Sequence, residues 1–148
     1  MRAIRQFEEF IKERIVKKQA PDNSRANFLV KESEKSNNFL KRLVADYGVT
    51  DDNANSVIRI CYDIFMELIR AAMLRNGFNS SGKGAHEAEV SYMRNMNFSE
   101  NDIKFADQLR YFRNGIIYYG KIMDAEYAKK VVNFLNESYP KLKKHATK

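Results

Sequence analysis

The residues best suited to chemistry lie in the segment LRYFRNGIIYYG, which runs from residue 109 to residue 120. In a helix, Arg113, Asn114 and Tyr118 would stand on one side of this segment and present a guanidinium group, an amide and a phenol. A guanidinium group forms two parallel hydrogen bonds to phosphate, so the three suit recognition of phosphate, sugar or base groups. Arg110 and Tyr119 would extend this surface. The alternative is that these side chains form a polar seam between helices or protomers.

The helix that carries these residues has two apolar faces. At 100° per residue, one sector holds a complete stripe that predicts contact with the core: Phe105, Leu109, Phe112, Ile116 and Tyr119. A second sector holds Ile103, Ala106 and Ile117, interleaved with arginines. A second face that contains arginines favours contact with a partner over burial inside a bundle. These three residues therefore predict the interface of a homodimer.

Two residues around the start of the fourth predicted helix are candidates to support the site. Lys83 lies in the stretch Gly-Lys-Gly, which lacks the preceding strand and the full spacing of a phosphate loop. His86 opens the helix after this loop, where it either ties the loop to the bundle or binds an anion. With two histidines and one cysteine in the chain, the sequence predicts no metal site and no disulfide. No cofactor motif and no nucleophile with a suitably spaced base is present.

The elements that would position these residues are all helical. The spacing of apolar residues and the stop signals predict an all-α, up-and-down bundle of about five to six helices. Expected helices cover residues 2–19, 22–47, 52–76, 85–94, 99–119 and 124–140. Asp22 to Ser24, Ser99 and Asp124 are the expected N-terminal caps, and Gly48, Gly77 and Pro140 are the expected ends. No segment alternates with a period of two, so no sheet is predicted.

Composition and charge bound the class of protein. We expect one helical domain at residues 1–140. We expect a basic C-terminal tail at residues 141–148, which is solvated or contacts nucleic acid. The net charge of +7 favours polyanionic partners. No apolar run is long enough to span a bilayer, and no secretory signal is visible. With a single cysteine, these features predict a cytoplasmic protein without a membrane partner.

The order of motifs resembles the HEPN superfamily of small helical proteins. The motifs are, in chain order, a central helix with Tyr62 that ends in LRNGF at residues 74–78, a loop leading to His86, and Arg113-Asn114 followed by YYG at residues 118–120. The resemblance covers most of the chain, from the first helix to Ser138. It implies a helical bundle that dimerises, with the arginine helices of two protomers facing a shared cleft. Many members are metal-independent endoribonucleases, including toxins of toxin–antitoxin systems, and others bind nucleotides or partner a nucleotidyltransferase.

The chain departs from the nuclease members at one position. Those members have a histidine five positions after the arginine, where this sequence has Tyr118. A phenol with a pKa near ~10 is a poor general base at neutral pH, whereas it can donate a hydrogen bond or stack on a base. The resemblance and this departure predict binding of nucleotide or RNA at a cleft between protomers, without efficient catalysis. The alternatives are a weak ribonuclease toxin and a helical partner of a nucleotidyltransferase.

Overall fold

The protein is a helical bundle in which a central helix is surrounded by the others. The computed structural model describes residues 3–148. Within this range the elements are α1 (Phe7–Lys12), β1 (Val16–Lys18), α2 (Asn23–Tyr47), α3 (Ala54–Arg75), β2 (Phe78–Ser80), α4 (Ala85–Ser91), a 3₁₀ helix (Tyr92–Met96), α5 (Glu100–Tyr119) and α6 (Ala125–Ala146). The predicted all-α class is confirmed. None of these helices combines the length and apolar character needed to cross a membrane.

Helix α3 forms the centre of the core because it is apolar around most of its circumference. It packs mainly against α2 on one side and α6 on the other. Stacking between Phe65 of α3 and Phe134 of α6, with ring centres 5.0 Å apart, joins two of these helices. Phe105 of α5 lies 4.3 Å from the Phe134 ring and brings α5 onto the same aromatic cluster. The bundle therefore fixes α5 relative to α3, which is what positions the candidate site.

The prediction of a first helix over residues 2–19 is wrong for most of residues 3–19, and residue 2 lies outside the described residues. Helix α1 spans only Phe7–Lys12, and Arg14 then adopts a left-handed backbone conformation with φ of 60°. The following segment forms β1, which pairs antiparallel with β2, so the prediction of no sheet is also wrong. The physical reason is a tertiary one, because residues 16–18 find their backbone hydrogen-bond partners in the loop that follows α3.

The turn at Gly77 allows this pairing. Gly77 has a φ of 80°, and a Cβ atom there would lie 2.6 Å from the carbonyl oxygen of Gln19. The backbone N–H of Gln19 donates to the Gly77 carbonyl oxygen at 2.8 Å. A side chain at this position would therefore collide with the backbone of Gln19, which directly follows β1, and only glycine combines the conformation with the close approach.

An ion pair with a buried carboxylate ties α4 and the end of β2 to α3. The guanidinium group of Arg70 on α3 makes two hydrogen bonds to the carboxylate of Glu89 on α4, at 2.8 and 3.1 Å. The Ser80 hydroxyl also donates to Glu89, at 2.8 Å. Glu89 is buried, so each of these partners offsets part of the cost of removing its charge from water. The loop and the start of α4 are thereby tied to the core.

The last helix continues beyond its predicted end at Pro140. Helix α6 runs to Ala146, and Leu142 and Ala146 are fully buried. The Lys143 ammonium group lies 3.0 Å from the Glu34 carboxylate, and that of Lys141 donates to the Asn97 carbonyl oxygen. Burial and these contacts outweigh the hydrogen bond that proline removes from a helix interior. The prediction of a basic tail at residues 141–148 is therefore wrong for residues 141–146.

The two faces of α5 are used differently from the prediction. Ile103 and Ala106, which were expected at a dimer interface, are 0% and 3% exposed and lie in the core of the chain. Tyr119, which was expected in the core stripe, is 85% exposed. The N-terminal half of α5 packs against α4, the 3₁₀ helix and α6, so both of its apolar sectors are covered. Of the predicted interface residues, only Ile117 reaches the surface.

Candidate functional site

A cavity of about 670 Å³ lies between the loop after β2, the start of α4 and the C-terminal half of α5. Six residues predicted from the sequence line it: Lys83, His86, Arg110, Arg113, Asn114 and Tyr118. We call it the Arg113 cavity. It brings the loop residues and the α5 residues into one site although they are distant in sequence. Tyr119, which was also predicted for the site, does not line this cavity.

Sequence reasoning missed Arg5, which also lines the Arg113 cavity. Its guanidinium group bonds to both oxygens of the Glu13 carboxylate at 2.9 and 3.0 Å and lies 4.4 Å from the centre of the Phe10 ring. Arg94 holds the backbone there by donating to the carbonyl oxygens of Ile4 and Arg5, each at 2.8 Å. No motif marks Arg5 in the sequence, because only the return of the N-terminal segment across α4 brings it to the cavity.

Arg113 stands on α5 with its guanidinium group over the ring of Tyr62, 5.2 Å from the ring centre. Its Nη1 lies 3.3 Å from Oδ1 of Asn114, and its Nε is buried without a hydrogen-bond partner among residues 3–148. Within the same range, no carboxylate oxygen lies within 4 Å of this guanidinium group. A partly buried cation without a directly paired carboxylate is costly, and an anion in the cavity would reduce that cost.

Tyr62 and His86 form a hydrogen-bonded pair at the wall of the cavity, with 2.8 Å between the phenol oxygen and Nδ1. Burial raises the pKa of Tyr62, so the hydroxyl group keeps its proton. Because a buried hydroxyl group needs an acceptor, the Tyr62 hydroxyl donates to Nδ1 and the imidazole hydrogen resides on Nε2. Burial lowers the pKa of His86, and the charge of Arg113 acts in the same direction. His86 is therefore a neutral donor at this wall.

The charges around the cavity are unbalanced in favour of cations. Its lining includes four cationic side chains and one carboxylate, Glu87. Arg110 is paired with Asp107 at 2.9 Å, and Arg5 is shared between Glu13 and Glu87. Within residues 3–148, neither Lys83 nor Arg113 forms an ion pair. The positive potential that remains suits an anionic ligand.

A second, more apolar groove adjoins the cavity through Arg113. It encloses about 550 Å³ and is lined by Phe39, Leu43, Ser56, Arg59, Ile60, Asp63, Arg113 and Ile117. Phe39 and Ile117 are 55% and 40% exposed, so two large apolar side chains face solvent in the same groove. Burial raises the pKa of Asp63, while the nearby charges of Arg113 and Arg59 oppose that shift. The Arg113 side chain thus lines both the polar cavity and the apolar groove.

Residues 3–148 contain neither a cluster of metal ligands nor an accessible thiol. The part of the chain from Ala3 to Lys148 contains no cluster of three or more His, Cys, Asp or Glu side chains that could hold a metal ion. Cys61 is fully buried in α3, and burial raises the pKa of its thiol to about 12. A protonated, inaccessible thiol cannot serve as a nucleophile. The side chains that line the cavity can form hydrogen bonds, pair with charges and stack on a flat ring, and His86 adds an imidazole.

Comparison with protein-family models, with curated proteins and with solved structures found no match to this chain.

Proposed function

We propose that this chain is a HEPN-like protein that binds nucleotide or RNA in the Arg113 cavity, as a homodimer. The observation that carries the proposal is the guanidinium group of Arg113, which lines a cation-rich cavity without a carboxylate partner. Phosphate satisfies such a group through two parallel hydrogen bonds. Asn114 and the Nε2 hydrogen of His86 are further donors, and the exposed ring of Tyr118 offers a base a stacking surface.

The apolar groove supports the homodimer part of the proposal. It presents Phe39 and Ile117 beside Arg113, so a second copy seated there would cover apolar surface and lie against the wall of the cavity. This surface replaces the predicted one, of which only Ile117 remains accessible. Cytoplasmic location and partnership with a nucleotidyltransferase remain predictions from the sequence.

Weak ribonuclease activity is a second candidate, and one observation favours it. The family's histidine position holds Tyr118, yet His86 supplies an imidazole to the same cavity. The hydrogen bond from Tyr62 leaves the imidazole hydrogen on Nε2, so His86 donates a hydrogen bond and does not abstract a proton in this form. Binding without efficient cleavage is therefore the better supported function.

Titration of a fluorescently labelled RNA of six nucleotides at two salt concentrations tests the proposal. We expect Arg113→Ala to weaken binding by ~10-fold or more, since a hydrogen-bonded charged group contributes about 1.5–3 kcal/mol. Arg113→Lys should also weaken binding, because lysine keeps the charge but cannot form two parallel hydrogen bonds to one phosphate group. Arg25→Ala, at an exposed arginine outside the cavity, is the control. Equal affinities of the native chain and Arg113→Ala would mean that the polar residues are only a seam between helices.

A further inference from the structure

Arg94 ties the segment before α1 to the rest of the bundle. From the 3₁₀ helix, its Nη1 donates to the Arg5 carbonyl oxygen and its Nη2 to the Ile4 carbonyl oxygen, each at 2.8 Å. The same guanidinium group makes two further hydrogen bonds to the carboxylate of Glu100, both at 3.0 Å. Arg94 does not line the Arg113 cavity. It can therefore affect a bound ligand only through the segment that it holds.

The segment has few other attachments. Residues 3–6 precede α1 and belong to no helix or strand. Among residues 3–148, the carbonyl oxygens of Ile4 and Arg5 accept no hydrogen bonds except those from Arg94. The Ile4 side chain is buried, so packing provides a second attachment. Loss of the Arg94 contacts would therefore release the backbone that carries the Arg5 side chain.

Arg5 and Arg113 each keep a buried donor free beside the same cavity. The Nε atom of each is buried and has no hydrogen-bond partner among residues 3–148, and both side chains line the cavity. In Arg5, Nη1 bonds to Glu13, while Nε lies 3.6 Å from Glu87, too far for a hydrogen bond. A buried donor without an acceptor is costly. Two such donors on cations favour an anionic ligand, because charged acceptors form the strongest hydrogen bonds.

We propose that Arg5 is a second anion-binding residue of the Arg113 cavity and that Arg94 is the residue that positions it. Arg94 holds the backbone of Ile4 and Arg5, so the Arg5 guanidinium group stays at the cavity and meets the anion together with that of Arg113. The proposal rests on the proposed function, because it concerns the same cavity and the same anionic ligand. It adds a binding residue from outside α5 and a residue that acts on binding without touching the ligand.

Titration of the labelled six-nucleotide RNA over a series of salt concentrations tests the role of Arg5. Each phosphate contact to a single strand contributes ~0.7 to the slope of log affinity against log salt concentration. Arg5→Ala should reduce the slope by this amount and weaken binding ~10-fold, as loss of a charged hydrogen-bonding group does. Arg42→Ala, at an exposed arginine that does not line the cavity, is the matched control and should cause neither change.

Arg94→Lys tests the positioning role, because lysine keeps the charge but cannot make the four hydrogen bonds of the guanidinium group. We expect a loss of affinity and of salt slope in the direction of Arg5→Ala. The double variant Arg5→Ala/Arg94→Lys should bind no more weakly than Arg5→Ala, since Arg94 acts through Arg5. A residue with only a structural role would lower the thermal midpoint without changing the salt slope.

Mild digestion with trypsin tests the Arg94 contacts without any ligand. Trypsin cleaves the bond between Arg5 and Gln6 when the segment leaves the bundle, and Arg94 holds the carbonyl group of that bond. Arg94→Lys should accelerate this cleavage ~10-fold or more, because lost hydrogen bonds from a charged donor raise the open population. Glu100→Gln loosens Arg94 from an exposed position and should give a smaller increase, which keeps the test decisive if Arg94→Lys folds poorly.

Three results would overturn the inference alone. The first is RNA binding that Arg113→Ala weakens and Arg5→Ala leaves unchanged. The second is a set of losses in Arg5→Ala and Arg94→Lys that add up in the double variant. The third is trypsin cleavage after Arg5 that neither Arg94→Lys nor Glu100→Gln accelerates. Absence of RNA binding by the native chain, or equal affinity in Arg113→Ala, would overturn the proposed function together with the inference.

Discussion

The guanidinium group of Arg113 lies over the ring of Tyr62, with 5.2 Å between its central carbon and the ring centre. Tyr62 is almost completely buried in α3, so the arginine rests on a rigid part of the core. A cation placed over an aromatic face is attracted by the ring, and this contact uses the face of the guanidinium plane and not its N–H groups. This contact explains how an arginine without a carboxylate partner is held at the wall of the cavity.

The first prediction concerns the homodimer. In multi-angle light scattering we expect the native chain to be a dimer and Ile117→Asp to be a monomer, because the variant places a charge in the apolar groove beside Phe39. Ile122→Asp is the matched control, since Ile122 is 84% exposed and does not line this groove. A dimer mass that Ile117→Asp leaves unchanged would remove the groove from the interface.

The second prediction concerns His86 and pH. Burial lowers the pKa of His86 below its ordinary value of 6.5, and Arg70, Arg113 and Arg110 act in the same direction while Glu89 opposes them. The unfolded chain then binds a proton at higher pH than the folded chain does. The free energy of unfolding should therefore fall as the pH drops below 6.5 toward the folded pKa.

Urea denaturation of the native chain and of His86→Gln, over a pH range that brackets this window, measures the effect. Glutamine cannot titrate but can accept the hydrogen bond from Tyr62, so His86→Gln should lose less stability on acidification. His145 titrates in both chains and cancels in the comparison. Parallel stability curves for the two proteins would contradict the lowered pKa.

The third prediction concerns catalysis. The native chain should show little or no metal-independent cleavage of RNA, because a positioned acid–base group typically contributes ~10²–10⁴-fold. Tyr118→His should raise the rate of RNA cleavage above that of the native chain, since it places an imidazole beside Arg113 in the cavity. The gain should disappear when Arg113→Ala is added, because the phosphate is no longer positioned. Efficient cleavage by the native chain that persists in Tyr118→Phe would favour the ribonuclease alternative.

The fourth prediction concerns the end of α6. Leu142→Ala should lower the free energy of unfolding by about 2–4 kcal/mol, because it removes a fully buried side chain and leaves a cavity. Lys144→Ala, two residues away and exposed, should have almost no effect. Chemical denaturation measures both. If the two variants were equally stable, residues 141–146 would behave as a tail and not as part of the bundle.

The sequence by itself determined most of the helices, because helix periodicity and capping are local properties. The expected caps are confirmed, since the side chains of Asp22, Ser99 and Asp124 accept hydrogen bonds from the backbone three residues later, at 3.0, 3.1 and 2.9 Å. The polar residues of α5 were also identified from their types and spacing. Arg110, Arg113, Asn114 and Tyr118 do line one cavity.

Tertiary structure alone decided which surfaces these helices use. Periodicity shows that α5 has two apolar sectors, but only the neighbouring helices determine that Ile103 is buried and Tyr119 is exposed. The contribution of Arg5 to the cavity and the pairing of Tyr62 with His86 join residues that are far apart in sequence. Such contacts depend on how the chain folds back on itself, and no local pattern of residues encodes them.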